Sequence, residues 1–450
     1  MAELNRAIGP LNATLLVIGG IIGSGIFLTT GRMATALPSP ALLLLAWTAG
    51  GLFALAGALT YAEMSAMFPR SGGVYVFLRE AFGPLTGFLY AWAFLLVVLS
   101  GGVAAVGVGF ADYFSSFFPS LSTSHVLAHV SIGGIDWSLT AAQVVAVLSI
   151  LLLGAVNYVG VRSGSGTNAV MTTAKIAGLV ALPVFALIAA KAHPVWTPIV
   201  PATIETPWSA FGVAMIAVLW ANDGFYFLTY AAGEVRDPTK NLPRALTAGL
   251  LTVLVIYLTV NVAYLFALPM NELQGTSRVA ERAAAALVGP AGATFVALTV
   301  VVSTFGCNAA AILAGSRLLF AVAVDKLFFR AASAVHPRFG TPHIAIVSLT
   351  VWSAILALSG TYEQLFTYVV FTSVLFSFFG GLALFVLRRS RPSVDRPYRV
   401  WGYPIVPALF MAGSFAVVIN TLLERPVQSI TGLGLLTIGV PVYLYWTRRN

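Results

Sequence analysis

Two ionisable residues stand in stretches that are otherwise apolar. Asp223 lies in Leu219-Trp220-Ala221-Asn222-Asp223-Gly224-Phe225, and Lys175 in Thr172-Thr173-Ala174-Lys175-Ile176. A charge at the centre of a bilayer costs about 2.5–3.5 kcal/mol on insertion scales, so each group should face a partner, water or a ligand. Helix-weakening residues fall beside one of these charges and at a matching place elsewhere. Gly23-Ser24-Gly25 interrupts the apolar run Ile21-Ile22…Ile26-Phe27, and Asn222-Asp223-Gly224 interrupts a second run about 200 residues later. Glycine weakens a helix by roughly 1 kcal/mol. For Gly23-Ser24-Gly25 alone, close packing of small residues is an equally good explanation; the second interruption at the corresponding place favours a binding role. An opened helix offers free N–H groups that suit a carboxylate. Its freed carbonyls suit an ammonium or a metal cation, so an α-amino acid zwitterion would satisfy both ends.

The elements that hold these residues follow from composition. Hydrophobic residues make up 59% of the 450 and charged residues only 9%, against roughly 25% charged in a soluble domain. Mean hydropathy is +0.92. Such a chain belongs in a membrane, and at about 20 apolar residues per helix its length accommodates about a dozen spans. The apolar segments are 11–33, 40–66, 84–118, 138–160, 166–190, 207–232, 244–268, 286–322, 343–359, 362–387, 402–422 and 427–447. They are continuously apolar rather than alternating, which excludes an outer-membrane barrel. The third and eighth are long enough to imply tilt or extension beyond the bilayer. Both interruptions fall in the first helix of a five-helix block, the pattern of a secondary transporter built on an inverted repeat.

Charge placement orients the chain. With the N-terminus inside, 18 of the 24 Lys and Arg fall in cytoplasmic connectors, five (Arg32, Lys191, Arg278, Arg282 and Arg425) fall outside, and Lys175 lies within a span. That bias places both termini in the cytoplasm and explains the net charge of +9 without nucleic acid. The single cysteine, Cys307, cannot form an internal disulfide. The short polar start Met1–Pro10 argues against a cleaved signal peptide.

Lys175 has two readings: a fixed internal cation held by carbonyls and hydroxyls, which would remove the need for sodium there, or a side chain that snorkels to the inner interface. The first is favoured, and a desolvated lysine could also release a proton during a cycle. Asp223 faces either a substrate or, more plainly, caps a helix or is protonated. Glu63 is expected to be an interfacial anchor, and Asp112 and Asp136 to be solvated. Cys307 is expected to pack in the eighth span near the cation position. Gly164-Ser165-Gly166 is expected to form a loop into the fifth span. His125, His129, His193, His336 and His343 show no metal-ligand spacing. No Walker A, GxSxG or HExxH pattern occurs, so neither a metal, a cofactor nor enzymatic chemistry is expected.

Several motifs carry a family resemblance. Ile21-Ile22-Gly23-Ser24-Gly25-Ile26-Phe27 resembles the first-helix signature of the amino acid–polyamine–organocation superfamily, and Pro69-Arg70-Ser71-Gly72-Gly73-Val74-Tyr75 its loop after span 2. Pro238-Thr239-Lys240-Asn241-Leu242-Pro243-Arg244, Gly315-Ser316-Arg317-Leu318-Leu319-Phe320 and His336-Pro337-Arg338 resemble the L-type amino acid transporter branch. The resemblance covers spans 1 to 10 and implies an all-α membrane protein of twelve helices. Its two five-helix inverted repeats would occupy 1–190 and 207–387, followed by two more helices and a short cytoplasmic tail over 402–450. It also implies that a substrate carboxylate meets Ser24 and Gly25, that the amine meets the carbonyls of Ile21, Trp220 and Asp223, and that Trp220 caps the site from outside. Gly23 and Gly224 belong to the same binding segments. Lys175 matches a lysine standing where sodium sits in related folds. Relatives that pair with a heavy chain carry a cysteine in the loop after span 3. None occurs here, so a free-standing prokaryotic protein of the plasma (inner) membrane, without a disulfide-linked partner, is expected.

The reading is therefore a sodium-independent amino acid carrier working by exchange or proton coupling. A polyamine or organic-cation carrier on the same fold is the alternative, with Asp223 as its best support. An intramembrane enzyme or a substrate sensor is a second alternative. Whether neutral or cationic amino acids are carried stays open.

Overall fold

The computed structural model describes residues 6–132, 135–359, 362–424 and 426–449. Arg425 lies outside this set, as do the side chains of Asp136, Arg162, Arg448 and Arg449. Among the described residues, ten helices are long and apolar enough to cross a membrane. Two further apolar helices, Pro207–Asn222 and His343–Ser359, are shorter. At 1.5 Å per residue the former, with 16 residues, spans about 24 Å, less than the roughly 30 Å hydrocarbon core. Each of the twelve overlaps one expected apolar segment, with helices 5 and 7 starting five and six residues earlier, and the protein is a multi-pass helical membrane protein.

Numbered in chain order, helix 1 is Pro10–Ile21 with its continuation Gly25–Leu28, helix 2 is Pro40–Met67, and helix 3 runs Pro84–Phe114. Helix 4 is Ala141–Val159, helix 5 Val161–Ala189, helix 6 Pro207–Asn222 and helix 7 Pro238–Ala267. Helices 8 to 12 are Pro290–Val324, His343–Ser359, Tyr362–Ser390, Ile405–Glu424 and Pro426–Arg449. Seven of these begin with proline: Pro10, Pro40, Pro84, Pro207, Pro238, Pro290 and Pro426. Proline suits a first helical position, because its missing N–H would have no intrahelical partner there and its φ is already helical. Ser39 and Thr140 cap helices 2 and 4 by accepting from Leu42 N and Gln143 N.

The packing has a regular pattern. Helix 2 packs along helix 7, helix 3 along helix 8, and helix 4 along helix 9. Helix 5 lies against helices 1, 7 and 8, and helix 10 correspondingly against helices 6, 2 and 3. Large apolar residues such as Leu187, Trp208 and Leu423 are exposed on the outside of this bundle, where lipid would cover them.

Three local features were not expected from the sequence, and one was. The stretch Gly164-Ser165-Gly166 lies in helix 5, which begins at Val161. Two glycines cost about 2 kcal/mol in a helix, less than leaving several backbone groups unpaired in a membrane. Helix 3 contains a π-helical stretch, Phe94–Val98, where the Ser100 hydroxyl donates to the Leu95 carbonyl. Helix 8, with 35 residues, is longer than the bilayer needs, as expected. The loop after helix 3 carries an antiparallel hairpin, Val126–Ile132 with Ile135–Thr140, pairing Val130 with Trp137 and His129 with Ser138. Trp137 Nε1 pins it to the end of helix 9 by donating to Leu358 O at 2.8 Å.

Candidate functional site

Helix 1 stops at Ile21, and Ile22 leaves helical geometry at φ −72°, ψ 89°. Helical geometry resumes at Gly25. Helix 6 stops at Asn222, Asp223 is extended at φ −65°, ψ 157°, Gly224 takes φ +92°, and a short helix restarts at Phe227. The backbone at each interruption touches the other. A Cβ on Gly25 would lie 2.5 Å from the Ala221 Cα, and one on Gly224 would lie 2.7 Å from the Gly20 carbonyl oxygen. Glycine is therefore needed at both contacts, and at Gly224 also for its positive φ. Tyr257 of helix 7 joins the two ends, its hydroxyl lying 3.2 Å from Ile21 O and 3.0 Å from Ala221 O.

Lys175 is fully buried behind the first interruption. Its Nζ donates to Gly19 O at 2.9 Å, Ile22 O at 2.7 Å and Ser303 O at 3.2 Å. Three acceptors match the three donors of an ammonium group, and the side chain does not snorkel to the interface. Ser303 of helix 8 also donates to Ile22 O at 3.1 Å. One turn further along, Cys307 Sγ donates to Gly20 O at 3.3 Å, next to the lysine as expected. Asp223 is turned toward helix 10: its Oδ1 accepts from Tyr226 OH at 2.9 Å and Ser373 Oγ at 3.1 Å.

Between the interruptions lies a cavity of about 40 Å³, where one ordered water needs about 10–15 Å³. Ile21, Gly23, Ser24, Gly25, Trp220, Asp223 and Cys307 line it, with Tyr226 and Asn308. Val98, Leu99, Val103 and Val106 of helix 3 close the far wall. Of the residues expected at the site, Lys175 and Gly224 alone lie outside the lining; Lys175 acts on the backbone that frames it and Gly224 touches Gly20. Two of the carbonyls assigned to an amine already accept a hydrogen bond, Ile21 O from Tyr257 and Trp220 O from Asp223 N at 3.2 Å. Each keeps a second lone pair.

Tyr226, Tyr257, Ser303, Asn308 and Ser373 were not singled out from sequence. Tyr226 could have been, since it follows Asp223 by three residues and so shares its side of a turn. The others lie on distant helices, and nothing local marks them. Two peripheral acids also behave differently from expectation. Glu63 is not an interfacial anchor but is fully buried, accepting from Arg388 at 2.9 and 2.6 Å and from Val400 N at 2.7 Å. Asp112 is not simply solvated but pairs with Arg278 at 2.9 Å.

An apolar helical bundle enclosing a small mid-depth cavity framed by backbone has the architecture of a membrane carrier. The chain belongs to the amino acid permease family, whose family model matches residues 8–444. It is 32% identical to the serine/threonine exchanger SteT of Bacillus subtilis over 450 residues, 99% of this chain and 98% of the relative. It is 29% identical over 459 residues to the human large neutral amino acids transporter small subunit 2, covering 99% of this chain and 82% of the relative. Over 427 residues it is 28% identical to the mouse b(0,+)-type amino acid transporter 1, covering 94% and 84%. The family and these relatives are transporters, not enzymes.

Proposed function

We propose that the protein is a sodium-independent secondary transporter of amino acids, working by exchange or proton coupling through alternating access. The observation that carries the reading is the meeting of two helix interruptions around one cavity. The helix that starts at Gly25 presents the N–H groups of Gly25 and Ile26, which as its first two residues have no intrahelical partner, beside Ser24. That end takes the substrate carboxylate. The ends of the helix segments at Ile21 and Asn222 direct carbonyls into the same space and take the ammonium, while Trp220 covers it from outside. A zwitterion is the smallest solute that satisfies both ends at once. Sodium independence rests on the Lys175 ammonium, which already neutralises the carbonyls a cation would use.

The exchange of packing partners between helices 1–5 and 6–10 supports an inverted repeat over 1–190 and 207–387, with helices 11 and 12 over 402–450 outside it. Moving one bundle against the other would expose the site to each side in turn. Closure would be driven by the substrate bridging both interruptions, because only differential affinity shifts populations between states. The arginine-rich connectors support a plasma (inner) membrane protein with both termini in the cytoplasm. The only cysteine is buried at the site, which argues against a disulfide-linked partner chain.

Uptake of radiolabelled amino acids into proteoliposomes, with sodium and pH varied separately, tests the reading. Sodium-dependent uptake would overturn it, and stimulation by amino acid trapped inside would identify exchange. The second reading, a carrier of cationic or polyamine substrates, draws on Asp223, a half-buried carboxylate with no ion pair among the described residues. Competition by putrescine but not by alanine would favour it.

A further inference from the structure

Asn308 of helix 8 is 1% exposed and lines the central cavity. Its Nδ2 donates to Val103 O on helix 3 at 3.1 Å. That bond orients the amide and leaves Oδ1 as the free end, and this buried oxygen has no hydrogen-bond partner. A buried acceptor without a partner is uncommon and costly. Around it the wall is apolar: Val98, Leu99 and Val106 of helix 3 and Ala311 of helix 8. Beside these, at Gly102, a Cβ would meet nothing within 4 Å, so the cavity has room on this side. The interrupted backbone that would hold a zwitterion lies on the other walls. Asn308 therefore stands where a substrate side chain would project.

We propose that Asn308 is the specificity residue of a side-chain subsite between helices 3 and 8, accepting a hydrogen bond from the hydroxyl of a small β-hydroxy amino acid, serine or threonine. The assignment rests on the amino acid reading above and deepens it. Size argues for a hydroxyl, the smallest side-chain donor, in a cavity of about 40 Å³. The acceptor type argues for a neutral donor rather than an ammonium or guanidinium, which would seek a carboxylate. Asp223 is already engaged by Tyr226 and Ser373. A site that leaves a polar group unpaired with the wrong ligand rejects that ligand strongly.

Isosteric pairs test this without altering size: threonine against valine, and serine against 2-aminobutyrate. In proteoliposomes the wild-type protein should prefer each hydroxylated member, and in Asn308→Ala that preference ratio should fall about ten-fold. Should this variant fail to fold, thermal stabilisation of the purified wild-type protein by serine should still exceed that by 2-aminobutyrate at equal concentration. An unchanged ratio in the variant, or equal stabilisation by both ligands, overturns the assignment. Wild-type uptake of valine and 2-aminobutyrate in preference to their partners also overturns it, while leaving the amino acid reading intact. Wild-type uptake of none of the four overturns both.

Discussion

Lys175 holds its ammonium among three backbone carbonyls rather than against an acid, and this arrangement sets the chemistry around the first interruption. Hydrogen bonds to a charged group contribute about 1.5–3 kcal/mol each, and without them Gly19 O, Ile22 O and Ser303 O lose a buried donor. Lys175→Ala should therefore abolish uptake or uncouple it from its driving gradient, while the protein still reaches the membrane. Wild-type flux at verified expression would exclude the role. Lys175→Arg should fail as well, because a planar guanidinium fork does not reproduce the geometry of an ammonium. Both variants are read by proteoliposome uptake beside a membrane-fraction blot. Tyr257, which reaches both interruptions through one hydroxyl, belongs to the same scale. Loss of that hydroxyl in Tyr257→Phe should weaken substrate binding by about ten-fold, roughly one buried hydrogen bond, measured as the shift in substrate concentration giving half-maximal uptake.

At the level of the helices, the proposed function depends on backbone that does not continue. Gly25 and Gly224 are the points where the two interrupted helices touch. In Gly25→Val the side chain would have to displace the Ala221 backbone, not a flexible tip. The two helix ends should then separate and substrate-induced thermal stabilisation should disappear, with circular dichroism still helical. Ser24→Pro should likewise lose binding while insertion into the membrane stays detectable. Gly224→Ala carries two penalties, a positive φ worth about 1–3 kcal/mol and contact with the Gly20 carbonyl. Its unfolding midpoint should fall even in the absence of substrate. A variant at Gly224 with wild-type stability and uptake would show that this contact is dispensable.

Across the whole molecule, ion pairs at the end that holds Ile8 and Asp325 join helices across the bundle. Glu234, just after the second interruption, pairs with Arg317 of helix 8 at 2.7 Å, both nearly inaccessible to water. The first described residues join the same place, Ile8 bridging to Val235. Removing one partner of a buried pair costs about 3–5 kcal/mol, because the other charge stays buried without compensation. Arg317→Ala should lower the thermal midpoint clearly, and Arg317→Ala combined with Glu234→Ala should recover part of the loss. Nearer the surface, Glu80 bonds to Arg70, Arg79 and Arg391, and Arg79 also pairs with Asp325 at the end of helix 8. Burial works against the charged form of Glu80, yet Arg79 and Arg70 overcome it and hold its carboxyl below the ordinary value. A carboxyl lowered in the folded state stabilises above its unfolded pKa, about 4.3 for glutamate, and loses that contribution as pH falls through the folded value. As pH falls from about 5 to about 3, the midpoint of the wild-type protein should therefore drop more than that of Glu80→Gln. Equal drops would remove Glu80 from the network.

The membrane class, the positions of the apolar helices and both interruptions were legible in the sequence, because each rests on local rules. Twenty apolar residues in a row must span, and Gly-Ser-Gly or Asn-Asp-Gly in such a run must weaken it. Lys175 and Asp223 were legible for a related reason: a charge in hydrocarbon demands an explanation wherever the chain later takes it. What surrounds those charges was decided only by the fold. Tyr257 lies 236 residues from Ile21 and Ser303 lies 128 from Lys175, and no local pattern announces a hydroxyl that must travel that far to find its partner. The same holds for Glu63, whose burial depends on Arg388 arriving from helix 10, and for Asn308, whose unpaired oxygen has meaning only once helix 3 lies opposite it. Spacing along a chain reports which faces are apolar and where a helix weakens; which faces meet follows from packing, and packing is not local.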